Sequence, residues 1–205
     1  MDSLPQIVVG LGETHQGIDE RWLKTPKVAI PGEPGLASYI MDRTVGAGFQ
    51  SAMSYKVKAD HGFMAVYREL DPMVQLPMVP IVMNCTTPPL MTVRRCYEFG
   101  KAVGDAIRGY PGLKRVALCA TGGLSHYVAE PRVGEIEEDF DRWFVRQLEQ
   151  TDLSDLLDIS NDELITGQRH RSGTRWIAVA GAMHGHPGIT LPYEPVYEWI
   201  KGWAL

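Results

Sequence analysis

The chain has 205 residues, of which 44% are hydrophobic and 22% are charged. This composition is typical of a globular domain with one core, and it excludes a disordered or fibrous protein. Twenty lysines and arginines against 25 acidic residues give a net charge of −5, which argues against binding to the phosphate backbone of a nucleic acid.

The sequence predicts a cytoplasmic protein without a membrane span. Its longest apolar run, residues 176–183, is far shorter than the about 20 residues that cross a bilayer. The first ten residues include the acidic Asp2 and lack the basic region of a signal peptide. Because Cys85, Cys96 and Cys119 form no CxxC pair and lie in apolar stretches, we expect them to be reduced thiols in the core.

Apolar patterns in the N-terminal part predict three strands and one helix. Residues 6–11, 51–57 and 79–84 are short segments bounded by proline, glycine or charge, as is typical of strands. The helix is expected over residues 33–46, because apolar side chains recur there at roughly helical spacing before a glycine-rich end.

The clearest helix pattern lies in the middle of the chain, from residue 90 to residue 107. Apolar residues and glycines fall three or four positions apart there, and charged residues occupy the other face. Residues 116–120 then predict a buried strand, so that strand 79–84, this helix and strand 116–120 would form a βαβ unit. The expected fold class is α/β, with a single domain over residues 1–205 and a mixed central sheet that has helices on both faces.

The C-terminal part is predicted to be mostly helical. An acidic segment, residues 135–141, leads into a helix with aromatic residues on one face, and short helices are expected around residues 153–157 and 161–165. Residues 174–182 are predicted to form a helix or a strand. The aromatic-rich residues 193–205 are expected to form an amphipathic helix that packs on the domain or on a second subunit.

Histidines are the natural candidates for chemistry, because the chain has no GxSxG elbow, Walker loop, GxGxxG fingerprint or HExxH helix. His126 ends the sequence Gly-Gly-Leu-Ser-His after a predicted strand, which is where α/β folds usually bind ligands. On this pattern alone, a functional and a structural role for His126 are equally supported. His61 follows Asp60, and by itself it is expected to be a loop residue that Asp60 caps.

The other four histidines have weaker support. His184 and His186 alternate in the sequence and could turn both imidazoles toward one metal ion, but an exposed turn rich in glycine and proline is the favoured interpretation. His15 and His170 have no supporting context, and we expect both to be surface residues.

Several further motifs occur in a fixed order along the chain. They are Asp60-His61-Gly62, residues 79–84, Pro88-Pro89-Leu90, Arg94-Arg95-Cys96-Tyr97, Gly100, Gly104, the Gly-Gly-Leu-Ser-His loop, Pro131-Arg132, Phe140-Asp141 and residues 162–182. Together they resemble the class III extradiol ring-cleavage dioxygenases, and most closely the catalytic beta chain of those that cleave protocatechuate and the related enzymes that cleave gallate. The resemblance covers roughly residues 5–185.

The resemblance implies oxygen-dependent opening of a catechol ring in aromatic catabolism. The family holds a non-haem Fe(II) ion with two histidines and one glutamate, which leaves open positions for the substrate and O2. Carried over residue by residue, the resemblance implies that Glu163 is the carboxylate ligand, His126 the acid/base, and His61 a second histidine that orients or protonates intermediates. The implied partners are a small aromatic diol such as protocatechuate or gallate, O2, and other subunits of a homo- or hetero-oligomer.

Three hypotheses remain open at this point. In the family, the two histidine ligands precede the part that this chain matches, so the first hypothesis is a dioxygenase that receives them from a further N-terminal segment or another polypeptide. The second is a non-catalytic sibling subunit that keeps the fold. The third is a hydrolase-like or metal-binding protein with a site rebuilt from His15, His184 or His186. The retained acid/base histidines and the glutamate favour the first.

Overall fold

The computed structural model describes residues 4–18, 20, 27–112, 115–125, 134–161, 163, 173–197 and 201–204. In chain order, the strands are β1 (Ile7–Gly10), β2 (Thr14–Gly17), β3 (Val28–Pro31), β4 (Ala52–Ser54), β5 (Lys58–Ala59), β6 (Ile81–Met83), β7 (Tyr193–Val196) and β8 (Lys201–Ala204). The helices are α1 (Pro34–Gly46), α2 (His61–Leu70), α3 (Val93–Gly109), α4 (Glu138–Leu148), α5 (Ser154–Leu157) and α6 (Gly173–Ala182).

This mixture of helices and strands confirms the α/β class. Within the described residues, however, the strands form three small sheets, where one central sheet was expected. In the first sheet, β1 lies between β4, to which it is parallel, and β6, to which it is antiparallel. In the second, β2 lies between the antiparallel β3 and the parallel β5. The third sheet is the antiparallel pair β7 and β8.

The chain divides into two compact units. The first contains Met1–Asn84 and Asp105–Ala117, and the second contains Cys85–Gly104 and Leu118–Leu205. None of the helices within the described residues is both long and apolar enough to cross a membrane.

The core of the first unit forms between its sheets and its helices. α1 begins at Pro34, where a proline costs no hydrogen bond because the first helical N–H groups have no partner within the helix. Its buried side chains recur three or four residues apart, as an amphipathic helix requires, and include Leu36 and Ile40. In the second sheet, Ile30 packs with Ala59 and with Met64 of α2.

The predicted strand at residues 116–120, and with it the βαβ unit, is wrong. Residues 115–120 form no strand, and Val116 and Leu118 are 39% and 36% exposed. A short apolar run predicts burial only if another strand pairs with it, and the described part of the chain provides no such partner. Cys119 is therefore exposed, against the expectation, whereas Cys85 and Cys96 are buried as expected.

The predicted C-terminal helix is also wrong, because β7 and β8 are paired antiparallel strands with Tyr193 opposite Ala204. Pro195 lies in β7, and a proline within a helix would remove a hydrogen bond and clash with the preceding turn. The alternative of a strand at residues 174–182 is settled in favour of the helix α6.

Candidate functional site

His61 is the first residue of α2, which corrects its expected place in a loop. Asp60 is the N-cap residue of this helix, and its side chain accepts a hydrogen bond of 3.0 Å from the backbone N–H of Gly62. Aspartate is favoured at this position because it satisfies an N–H that has no partner within the helix. The Asp-His-Gly sequence thus places His61 where a helix begins.

Glu20 holds His61 through both its backbone and its ring. The backbone N–H of His61 donates to Oε2 of Glu20 at 2.5 Å, and Nδ1 of the ring lies 3.0 Å from Oε1 and 3.2 Å from Oε2. The Glu20 side chain is 17% exposed, whereas the His61 side chain is 46% exposed. The pair therefore combines a mostly buried carboxylate with an imidazole that solvent or a ligand can reach.

The loop that leads to His126 is fixed by α6 on one side. The Arg175 guanidinium donates to the carbonyl oxygen of Thr121 at 3.1 Å, and Nε1 of Trp176 donates to the carbonyl oxygen of Gly122 at 3.3 Å. Gly122 has a φ of 122°, which L side chains rarely adopt. Leu124, two residues further along the loop, is fully buried.

Asp141 of α4 fixes the same loop from another side. Its Oδ1 accepts hydrogen bonds from the backbone N–H of Ser125 at 3.1 Å and from the Ser125 hydroxyl at 2.8 Å, and the Tyr193 hydroxyl donates to Oδ2 at 2.8 Å. Asp141 and Ser125 are both fully buried. Burial raises the pKa of Asp141 to about 6, although the hydrogen bonds from Ser125 and Tyr193 lower it. His126 itself lies outside the described residues.

Glu163 has a local structural explanation as well as the role that the resemblance implies. The backbone N–H and the hydroxyl of Ser160 donate to its Oε2 at 2.9 and 2.7 Å, and its own N–H donates back to the Ser160 hydroxyl at 3.1 Å. This reciprocal pattern is a capping box. The hydrogen bonds from Ser160 lower the pKa of Glu163, so this exposed carboxylate is ionised at neutral pH.

Two of the remaining histidines are placed as expected and one is not. His184 and His186 are exposed in the turn after α6, and the Tyr97 hydroxyl lies 2.5 Å from Nδ1 of His184. His15 is 2% exposed in β2, so the expected surface position is wrong. Its Nδ1 accepts a hydrogen bond from the backbone N–H of Val57, and burial lowers its pKa. His170 lies outside the described residues.

The described residues do not fit a complete iron site. Among them, no group of three or more histidine, cysteine, aspartate or glutamate side chains is close enough to hold a metal ion. Glu163 has the right kind of donor, an ionised carboxylate, but it lies in the second unit with Ser160 as its hydrogen-bonding partner. His61 lies in the first unit. The described residues therefore do not by themselves hold a metal ion.

Sequence reasoning missed the residues that hold the candidate side chains. Glu20 and Tyr193 carry no motif, and Arg175 was not connected with the loop. Asp141 was part of the family pattern but had no assigned role. Only the S-x-x-E spacing of Ser160 and Glu163 is a local signal that could have predicted a contact, the capping box.

Comparison with known proteins adds a match over almost the whole chain. The family model for the catalytic LigB subunit of aromatic ring-opening dioxygenases matches residues 1–202. This match confirms the resemblance that the motifs indicated.

Individual relatives carry similar names. A 2,3-dihydroxyphenylpropionate/2,3-dihydroxicinnamic acid 1,2-dioxygenase of Dechloromonas aromatica is 31% identical over 146 residues, which are 71% of this chain and 44% of that protein. An enzyme of the same name from Pseudomonas putida is 27% identical over 80% of this chain and 67% of its own length. A gallate dioxygenase of P. putida is 31% identical over 57% of this chain and 35% of its own length.

The match thus spans less than half the length of the first of these relatives and of the gallate dioxygenase. The family model, by contrast, extends over nearly all of this chain. The chain belongs to the LigB family of aromatic ring-opening dioxygenases, which are oxidoreductases.

Proposed function

We propose that this protein takes part in the oxygen-dependent opening of an aromatic ring that carries two adjacent hydroxyl groups. The observation that carries the proposal is the family match over residues 1–202. The relatives are named for dihydroxyphenylpropionate, dihydroxycinnamate and gallate, so a dihydroxyphenyl compound is the proposed substrate class. Protocatechuate belongs to the same class.

The cofactor proposed for this reaction is Fe(II), which when bound supplies a site for the two substrate oxygens and for O2. Glu163 would provide its carboxylate ligand, and the remaining ligands would come from outside the described residues. The overall reaction adds both oxygen atoms of O2 to the substrate and breaks one ring carbon–carbon bond, so it requires no external reductant.

The chain's own residues would handle the protons. With Nδ1 facing the Glu20 carboxylate at 3.0 Å, a neutral His61 ring carries its proton on Nδ1, and Nε2 is the nitrogen that can accept a proton from a substrate hydroxyl. His126 is proposed as the second acid/base. The described part of the loop before it is held by Asp141 and Arg175.

Activity can be tested directly with the full chain. We expect the protein, loaded anaerobically with Fe(II) and then exposed to air, to consume O2 and form a yellow ring-opened product from protocatechuate, gallate or 2,3-dihydroxyphenylpropionate. The three substrates are compared as kcat/KM, and the His126→Phe variant is expected to retain iron but lose turnover. If the protein neither retains iron nor forms product from any of them, the proposed function of the chain by itself is wrong, and the sibling-subunit hypothesis is favoured.

The ligand role of Glu163 can be separated from its role in the capping box. Glu163→Gln keeps a side-chain oxygen that can accept the hydrogen bonds of Ser160 but removes the negative charge, so we expect it to lose iron retention with little change in stability. Ser160→Ala removes the cap, which costs about 1 kcal/mol, and is expected to retain iron. Iron per chain after anaerobic gel filtration, with thermal unfolding alongside, is the measurement. Equal iron retention by Glu163→Gln and the wild type would contradict the ligand assignment.

A further inference from the structure

We propose that Glu20 is a positioning residue that fixes the orientation and the tautomer of the His61 imidazole for proton transfer. The inference deepens the proposed ring-opening function and rests on it, because that function gives His61 a proton to move. It stands on the geometry of the first unit, where a mostly buried carboxylate meets a half-exposed imidazole.

The contacts of Glu20 constrain both parts of His61. One carboxylate oxygen, Oε2, accepts the backbone N–H of His61 at 2.5 Å, and Oε1 lies 3.0 Å from Nδ1 of the ring. The backbone contact fixes the position of Cα, and the ring contact fixes the rotation of the side chain about its bonds. A histidine at the start of a helix would otherwise be free to choose among several rotamers.

The backbone contact also completes the start of α2. The first N–H groups of a helix lack partners within the helix, and here Glu20 takes that of His61 while Asp60 takes that of Gly62 at 3.0 Å. His61 is therefore set on a capped helix end, a rigid position for an acid/base. The carboxylate is 17% exposed, so water competes little for its lone pairs.

The ring contact decides which nitrogen carries the proton. A carboxylate can only accept, so Nδ1 must be the protonated nitrogen, and Nε2 is left as the base. An amide in place of the carboxylate can instead donate to Nδ1, which would move the proton to Nε2 and remove the base. In serine proteases, replacing the aspartate that contacts the catalytic histidine with asparagine leaves the geometry intact but puts the imidazole in the wrong tautomer.

If Glu20 acted only as a helix cap, the Glu20→Gln variant would behave differently from what we propose. The carbonyl oxygen of glutamine can still accept the backbone N–H of His61, so Glu20→Gln keeps the cap. A cap alone would leave both the tautomer and the catalytic rate of this variant unchanged. Glu69→Gln is the matched control, because Glu69 is exposed near the other end of α2 and its substitution changes the net charge by the same amount.

The first measurement needs no activity. Long-range proton–nitrogen NMR spectra of the histidine-labelled full chain distinguish the two neutral tautomers at about pH 8, where histidine is ordinarily neutral, and His61→Gln assigns the signals. We expect the Nδ1–H tautomer in the wild type and in Glu69→Gln, and the Nε2–H tautomer in Glu20→Gln. An Nε2–H tautomer in the wild type, or the same tautomer in all three proteins, would overturn the proposal.

The second measurement is the rate of ring opening by the Fe(II)-loaded protein. Glu20→Gln is expected to lower kcat about 100-fold with KM changed less than about threefold, which is the scale of general acid–base catalysis. Glu69→Gln should match the wild type. A flipped tautomer with an unchanged kcat would overturn the catalytic role of the pair. An inactive wild type would overturn the proposed function, while the NMR result would still decide whether Glu20 sets the tautomer.

Discussion

Replacing Gly100 with alanine is expected to destabilise the protein by about 3 kcal/mol. Gly100 lies in α3 where it crosses α6, and a Cβ atom there would be only 1.7 Å from the backbone carbonyl oxygen of Ala178. A backbone oxygen cannot rotate away as a side chain can, so the two helices would have to separate and lose contacts along their length. Overpacking of this kind costs 1–3 kcal/mol and sometimes more.

The direction of this effect is what makes it informative. Alanine is ordinarily better than glycine within a helix by about 1 kcal/mol, so only the close approach of α6 can make it worse. Gly46, at the end of α1, is the matched control, because a Cβ atom there would have no neighbour within 4 Å. Urea denaturation followed by circular dichroism should place Gly100→Ala below the wild type and Gly46→Ala level with it or above. Equal midpoints for all three proteins would contradict the close helix crossing.

The same glycine illustrates what the sequence could predict. The helical spacing of apolar residues and glycines between residues 90 and 107 predicted α3 and its buried face, since both depend on residues three or four apart. α1 was predicted within one residue at its start for the same reason. The pattern did not predict that α6 packs on the glycine positions, because no local signal specifies the partner of a helix face.

Strands were predicted less well, because a strand depends on a partner that is distant in the sequence. Residues 6–11 and 79–84 contain β1 and β6, which pair with each other across more than 70 positions. Residues 116–120 have the same apolar character but no partner among the described residues, and residues 116–119 are exposed. The residues around His15 were not predicted as a strand at all, although pairing buries this histidine in β2.

The family resemblance provides candidate site residues but not the contacts that hold them. The family resemblance pointed to His61, His126 and Glu163, and the family membership is confirmed. The partner of His61, Glu20, is 41 positions away and carries no motif. Such a contact follows from the fold, so only the structure could provide it.

Asp141 is expected to make folding stability decrease as the pH rises. The pKa of this buried carboxyl is about 6 in the folded protein, above its ordinary value of 3.8. A raised pKa in the folded state means that the carboxyl stabilises the fold fully below about pH 4, and that this contribution is lost as the pH rises through 6. The two pKa values differ by about two pH units, so the expected loss is about 3 kcal/mol.

The surroundings of Asp141 favour this direction. Ser125 and Tyr193 donate hydrogen bonds to the carboxylate and oppose the shift, whereas burial, the larger effect, and the nearby Glu137 both raise the pKa. Arg142, on the same helix, is exposed, and its guanidinium carbon lies 4.6 Å from the centre of the Tyr193 ring. Burial therefore outweighs the hydrogen bonds.

Asp141→Asn tests this expectation, because asparagine has nearly the same shape but does not titrate. The free energy of unfolding of the wild type relative to Asp141→Asn should fall by about 2 kcal/mol between pH 4 and pH 7, which is most of the full effect, as measured by urea denaturation across that range. Asp139→Asn, an exposed position on the same helix, should follow the wild type curve. Parallel curves for the wild type and Asp141→Asn would mean that the carboxyl ionises without cost. In that case Asp141 is a stable anion inside the fold, and Ser125, the residue before His126, donates its hydrogen bonds to this anion.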